Sequence, residues 1–176
     1  MFVGGNRTIF VQRCARDLIL VYYSMAAPLN WPRSAGVSLA DTGSIMALIH
    51  QAYADWSPEV LDMLTQVRDG LQLWPTSVMP PDYGWHAKPG ITMLGDASHV
   101  MPPFTGKGVN LALLDALELA DALTHDPARL VADAVADFER RMQARTSDEI
   151  RACLEVGSYA YGIDLNFDRE RQTANA

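Results

Sequence analysis

The chain has 176 residues, of which 49% are hydrophobic and 20% charged, and it carries a formal net charge of -7. This hydrophobic fraction is enough for a core and excludes global disorder, and the length fits one domain or parts of two. The acidic balance excludes duplex nucleic acid as the main partner, because phosphate binding needs a basic face.

The cysteines and the N-terminus indicate the compartment. Cys14 and Cys153 lie far apart and form no CxxC or Cys/His spacing, which favours a reduced protein without a disulfide or a metal site. The first residues lack the charged and apolar regions of a signal peptide, and no stretch approaches the ~18 apolar residues that span a bilayer. We therefore expect a cytoplasmic protein that does not associate with membranes.

The first part of the chain predicts strands followed by helices. Residues 8–25 alternate apolar and polar positions and are rich in β-branched and aromatic residues, which predicts two strands around a polar bend at 13–17. An apolar face recurs at helical spacing over 42–53 and predicts a helix. A serine followed by proline predicts the start of a short helix over about 57–67.

The middle of the chain is rich in proline and glycine. A helix is excluded over 71–90, although an edge strand over 71–79 is compatible with the prolines. The short apolar run Ile91–Leu94 then ends at Gly95 and Asp96. This pattern predicts a buried strand of a parallel sheet that delivers a polar residue at its carboxyl end.

Residues 108–124 form the clearest predicted helix. Asp115, Glu118 and Asp121 make a narrow polar stripe, and nearly all other positions are apolar. We expect a helix this apolar to be buried on most sides inside an α/β layer.

The end of the chain predicts further helix. Asp126-Pro127 indicates the start of an amphipathic helix whose apolar residues recur every four positions. The sequence from Thr146 to Glu149 fits either a capping box that opens a last helix or the middle of a continuous one. We expect the polar residues after Asn166 to fray.

The segment between the predicted strand and the long helix carries the chemistry. Asp96 lies where the strand ends, and a carboxylate there suits the hydroxyls of a sugar or sugar alcohol. Gly106 and Gly108 allow the backbone to approach a ligand closely. The helix that begins near Gly108 offers free N–H groups and the positive end of its dipole. Together these features predict a site for an extended cofactor.

The run ITMLGDASHVMPPFTGKGVNLALLDA resembles the second FAD motif of the class A flavoprotein monooxygenases, most closely the branch of tetracycline-inactivating monooxygenases. The resemblance is weak outside residues 91–123. It implies an α/β fold class, in the form of an α+β fragment. The fragment would contain the C-terminal part of a Rossmann-like FAD-binding fold of the PHBH type and part of the antiparallel sheet of a substrate domain. The implied parts are the end of the substrate domain (1–88), the FAD-binding segment with strand, loop and helix (89–126), and C-terminal helices (127–176).

The resemblance also implies roles for single residues. Asp96, which follows Gly95, would accept hydrogen bonds from the ribityl chain of FAD, and the turn Pro102-Pro103 would lie beside the isoalloxazine ring. A glycine-rich step and helix start would place backbone N–H groups near the flavin N1–C2 edge: Gly106, Lys107, Gly108, Val109 and Asn110. Lys107 beside the flavin would raise its reduction potential or point to solvent.

The implied activity is hydroxylation of an aromatic or polycyclic small molecule with NAD(P)H and O₂, through a flavin C4a-hydroperoxide. No residue is assigned as catalytic, and we expect His99 to make a structural hydrogen bond rather than to act as an acid or base. The chain departs from the family because it has no G-x-G-x-x-G fingerprint for the ADP half of FAD.

It therefore looks like the C-terminal half of an enzyme, and activity of the isolated chain stays open. Two alternatives remain: a truncated, non-catalytic remnant that associates with another chain or with a missing N-terminal half, and an FAD-linked reductase or epoxidase.

Overall fold

A computed structural model describes residues 1–15, 18–28, 30–31, 33–38, 40–66, 71–165 and 167. The chain divides into two compact units, Met1–Pro75 and Thr76–Ala176. The first combines a small sheet with two helices, and the second is helical. The α/β class is therefore confirmed as a mixture of helices and a small antiparallel sheet.

The first unit begins with adjacent antiparallel strands β1, β2 and β3, which are Phe2–Gly4, Arg7–Arg13 and Ile19–Met25. The two strands predicted within 8–25 are confirmed as β2 and β3, whereas the sequence does not predict the short β1. The register pairs Ile9 of β2 with Tyr23 of β3, so both side chains lie on the same face of the sheet. Residues 16–17 of the predicted bend lie outside the described residues.

Two helices follow the sheet. Helix α1 (Thr42–Ala52) confirms the first predicted helix, and Asp41 caps it by accepting a hydrogen bond from the Ser44 N–H at 3.1 Å. Helix α2 (Pro58–Thr65) begins directly after the predicted capping serine. Its predicted end near Val67 lies outside the described residues. The two helices bury apolar side chains against one face of the sheet, and the buried cluster is Ile9, Ile45, Ile49, Tyr53, Val60 and Leu64.

Two tyrosines in this core differ in their hydrogen bonding. The Tyr53 hydroxyl lies 3.0 Å from the Ser24 carbonyl and 3.1 Å from the Thr8 carbonyl. The Tyr23 hydroxyl is buried without a hydrogen-bond partner among the described residues, and burial raises its pKa to about 12. A buried hydroxyl without a partner costs free energy, whereas a satisfied one contributes.

We therefore expect Tyr53→Phe to lower the free energy of unfolding by about 1 kcal/mol and Tyr23→Phe to leave it unchanged or raise it. Because the pKa of Tyr23 is raised from 10.0 to about 12 in the folded chain, ionisation above pH 10 favours the unfolded chain, and the free energy of unfolding falls between pH 10 and pH 12. Urea unfolding of the parent chain and both variants between pH 10 and pH 12 measures these changes in the free energy of unfolding. A parent and Tyr23→Phe that lose stability equally above pH 10 would contradict the assignment.

The described part of the second unit forms helices α3, α4 and α5, which are Asp96–His99, Gly108–Thr124 and Val131–Tyr161. The buried strand predicted at Ile91–Leu94 is wrong, because the described backbone forms only an isolated bridge between Lys88 and Ile91, and Ile91 is exposed. The edge strand predicted over 71–79 is likewise not formed in the described chain. A strand needs a neighbour to complete its hydrogen bonds, and the three described strands pair only with one another.

Helix α4 has the predicted bounds but not the predicted burial. Val109, Leu113 and Leu117 are 74%, 65% and 67% exposed, whereas Asp115 is completely buried. Asp115 and Glu118 of the polar stripe face α5, and an apolar face lies open. The expectation of burial on most sides is therefore wrong for the described chain, because α5, which packs on α4, offers Arg145 to the carboxylates of Asp115 and Glu118.

Helix α5 is longer and starts later than predicted. It begins at Val131, because the Asp126 carboxylate forms a turn by accepting a hydrogen bond from the Ala128 N–H at 3.0 Å. Of the two alternatives for Thr146 to Glu149, the structure shows the middle of a continuous helix and not a capping box. The Thr146 hydroxyl donates to the Met142 carbonyl at 2.9 Å. No helix within the described ranges is both long and apolar enough to cross a bilayer.

Candidate functional site

The turn at Gly95 places Asp96 at the surface. Gly95 has φ 59° and ψ -143°, a conformation that other residues rarely adopt, and its carbonyl accepts hydrogen bonds from the Ser98 and His99 N–H groups, both at 2.9 Å. The resulting single turn is α3. Asp96 is exposed, and its carboxylate has no ion pair or side-chain hydrogen bond with any described residue. It is therefore available to a ligand.

A buried ionic network lies beneath this turn. The Asp115 carboxylate accepts a hydrogen bond from the Gly95 N–H at 3.0 Å and contacts His99 Nε2 at 2.5 Å. Arg145 donates to Asp115 Oδ1 and to Glu118 Oε1, each at 2.8 Å. His99 is 1% exposed and Asp115 is 0% exposed. The predicted structural hydrogen bond of His99 is confirmed, with Asp115 as its partner.

The carboxylates of Asp115 and Glu118 stabilise the charged form of Arg145. Partial burial works to lower the pKa of Arg145, but the hydrogen bonds and charges of Glu118 and Asp115 outweigh it and raise the pKa overall. Arg145 is therefore a fixed cation that offsets the two carboxylates. Asp121, the third member of the predicted stripe, is 73% exposed and lies outside the network.

The 100–107 loop joins α3 to α4. The buried Pro102 offers its carbonyl to the Cys153 thiol at 3.1 Å, and the Phe104 ring lies 4.9 Å from the ring of Tyr161. Lys107 Nζ lies 2.6 Å from Glu149 Oε2 of α5. The ion pair with Glu149 is a third role for the Lys107 side chain, besides the two predicted ones of raising the reduction potential of the flavin or pointing to solvent.

The loop ends in an open backbone. Gly106 has φ +66°, and a Cβ at this position would meet no atom within 4 Å among the described residues. Helix α4 begins without a side-chain hydrogen bond to its first turn in the described chain. Its N–H groups therefore stay available, and its dipole favours a partial negative charge there by roughly 0.3–1 kcal/mol.

The structure brings the nine predicted residues into one stretch around α3 and the start of α4. Six of them are exposed, namely Asp96, Pro103, Gly106, Lys107, Val109 and Asn110. Gly95 and Pro102 are buried and Gly108 is half-buried, so these three residues lie beneath the exposed surface of the site. Their contact with a cofactor remains a prediction.

Sequence reasoning missed the supporting residues. Arg145 and Cys153 are far away in sequence and carry no local motif, and the sequence predicts Asp115 only as a member of a narrow polar stripe. The available signal was an acid within an otherwise apolar helix, since such a carboxylate needs a partner if that face is buried. Both cysteines are free, and the described residues contain no cluster that could hold a metal ion.

The arrangement suits a flavin cofactor. An unpartnered carboxylate can accept hydrogen bonds from ribityl hydroxyls, and open N–H groups at a helix start can face an electron-rich ring edge. The Thr105 hydroxyl is also buried without a partner among the described residues. Residues 86–127, which include all nine predicted positions, match the FAD binding domain family. FAD is the cofactor that this match supports.

Several FAD-dependent monooxygenases are similar to part of the chain. The chain is 34% identical over 76 residues to the FAD-dependent monooxygenase phnB of Penicillium herquei, covering 42% of this chain and 19% of the relative. It is 41% identical over 75 residues to the FAD-dependent monooxygenase adaC of Aspergillus niger, covering 43% and 18%. It is 31% identical over 118 residues to the monooxygenase asqM of Emericella nidulans, covering 54% and 27%. The matched segments thus span about a fifth to a quarter of these relatives.

Proposed function

We propose that this chain is the part of a flavin-dependent monooxygenase that holds the ribityl and ring portions of FAD. The observation that carries the proposal is the exposed carboxylate of Asp96, which has no partner among the described residues, on a turn fixed by the buried Asp115. The monooxygenase names of the relatives supply the reaction class. In this assignment residues 1–88 end the substrate domain, 89–126 hold FAD and 127–176 provide C-terminal helices.

The full reaction is the hydroxylation of an aromatic or polycyclic small molecule in the cytoplasm, with NAD(P)H as reductant and O₂ as the oxygen source. The narrower resemblance to tetracycline-inactivating enzymes favours a polycyclic substrate. When bound, the reduced flavin supplies the oxygen-activating chemistry. The chain's own residues bind and orient: Asp96 accepts from the ribityl hydroxyls, and the first N–H groups of α4 stabilise negative charge on the ring edge.

The test is a titration of the purified 176-residue chain with FAD, followed by flavin fluorescence and absorbance. We expect saturable binding, and Asp96→Ala should weaken it about ten- to a hundredfold, because a hydrogen bond to a charged group contributes about 1.5–3 kcal/mol. The matched control is Asp121→Ala, which removes another exposed carboxylate, in the C-terminal part of α4, and should leave FAD affinity unchanged. Equal affinities of parent and Asp96→Ala would refute the placement of the cofactor.

The same titration separates the alternatives. A chain that is folded by circular dichroism but does not bind FAD would support the non-catalytic remnant. A chain that binds FAD is then mixed with NAD(P)H, O₂ and candidate aromatic compounds. Hydroxylated product supports the monooxygenase, whereas hydrogen peroxide without product supports a reductase.

A further inference from the structure

One face of α5 follows the 100–107 loop along its length. Glu149, Cys153, Gly157 and Tyr161 recur every four residues, and this spacing places them in one row on the helix. Each of the four contacts the loop or lies directly against it. The row lies outside residues 86–127, so the match to the FAD binding domain family does not include it.

The contacts in the row are chemically different. Glu149 pairs with Lys107 at 2.6 Å, and the Cys153 thiol donates to the Pro102 carbonyl at 3.1 Å. Gly157 lies against Phe104 so closely that a Cβ there would be 2.6 Å from the ring Cε2. A contact under 3.0 Å cannot be accommodated without movement, so any side chain at Gly157 would displace the Phe104 ring, which belongs to the loop.

Helix α5 supports the Asp96 turn as well. Arg145, one turn before Glu149, donates to Asp115, which holds the Gly95 N–H. Met142 Sδ accepts from the Ser98 hydroxyl at 3.7 Å. The Asp96 turn and the 100–107 loop therefore both depend on α5 for their position.

We infer that α5 positions the 100–107 loop for FAD, and that Cys153 and Gly157 are positioning residues that act through Pro102 and Phe104. The inference rests on the proposed function, since it concerns the binding of the same cofactor. Neither side chain needs to contact FAD. Their effect arises because a site must be held within about half an ångström of its productive geometry.

The experiment is the FAD titration of the full chain, with the visible circular dichroism of the bound flavin as a second readout of its orientation. Gly157→Ala should weaken FAD binding about tenfold and change the flavin dichroism. Adding Phe104→Leu, which removes the nearest ring atom, Cε2, should recover about threefold or more of this loss. Ser158→Ala, an exposed neighbour on α5, should change neither readout.

A second pair of variants avoids any clash. Cys153→Ala removes the donor to the Pro102 carbonyl, whereas Cys153→Ser keeps a donor. Cys153→Ala should bind FAD about threefold more weakly than Cys153→Ser. This pair decides the question if Gly157→Ala does not fold.

The outcomes distinguish the two proposals. If the parent chain does not bind FAD, the proposed function fails and the inference fails with it. If the parent binds FAD and the folded Gly157 and Cys153 variants bind it equally well with the same dichroism, only the inference is overturned. A loss in Gly157→Ala that Phe104→Leu does not relieve, together with equal binding by both Cys153 variants, also overturns it.

Discussion

Replacing Asp115 with alanine is expected to lower the free energy of unfolding by about 3–5 kcal/mol, since removing one partner of a buried ionic network leaves the others uncompensated. Three donors lose their acceptor: the Gly95 N–H, the His99 ring and the Arg145 guanidinium. His99 is fully buried and cannot turn to water. The loss is large compared with the ~5–15 kcal/mol that stabilises a typical domain.

Urea unfolding followed by far-ultraviolet circular dichroism measures the effect, because the long helices α4 and α5 dominate that signal. The control is Asp121→Ala on the same helix, where the carboxylate is 73% exposed. It should change the free energy of unfolding by less than about 0.5 kcal/mol. Similar small changes in both variants would show that Asp115 does not hold the network together.

Gly95→Ala is the second change with a large expected effect, a loss of about 2–4 kcal/mol. Two costs add. The backbone at φ 59° and ψ -143° is one that only glycine adopts without strain. A Cβ there would also lie 3.1 Å from the Cβ of Ala112 on α4, which forces the Asp96 turn away from that helix.

Gly90→Ala is the matched control, because Gly90 also has a positive φ of +80° but a Cβ there meets nothing within 4 Å among the described residues. It should cost only about 1–2 kcal/mol, the price of the left-handed backbone. Urea unfolding of both variants measures the additional cost at Gly95, which comes from the contact with Ala112 and from its ψ of -143°. If Gly90→Ala cost as much as Gly95→Ala, neither of these would contribute.

The sequence predicts α4 with its observed bounds, yet not which side of it is covered. An apolar periodicity identifies the faces of a helix, whereas the neighbours decide which face they pack against. Helix α5 contributes Arg145, so the carboxylates of Asp115 and Glu118 face inward and Leu113 and Leu117 face outward. Burial of a charged stripe depends on a partner residue about thirty positions away, which local patterns do not report.

The conformation and exposure of the predicted site depend more on local chemistry than the burial of α4 does, and they are therefore easier to predict from the sequence. Glycines at 95 and 106 have the positive φ that a turn requires, and Asp96 is exposed beside them. Local signals fail where the structure needs a distant group. Residues 91–94 have strand-forming side chains but no described neighbour to pair with, and the row on α5 contacts the 100–107 loop from 42 to 57 positions away.

The hydrogen bond between Cys153 and Pro102 gives the chain an internal reporter. A thiol with no exposed surface reacts with a labelling reagent only when α5 and the 100–107 loop separate, whereas the partly exposed Cys14 reacts without such an opening. The ratio of the two labelling rates therefore measures how often the cofactor segment opens. Because ligands that bind the closed state suppress opening, the slow thiol also records occupancy of the site without any spectroscopic property of the ligand.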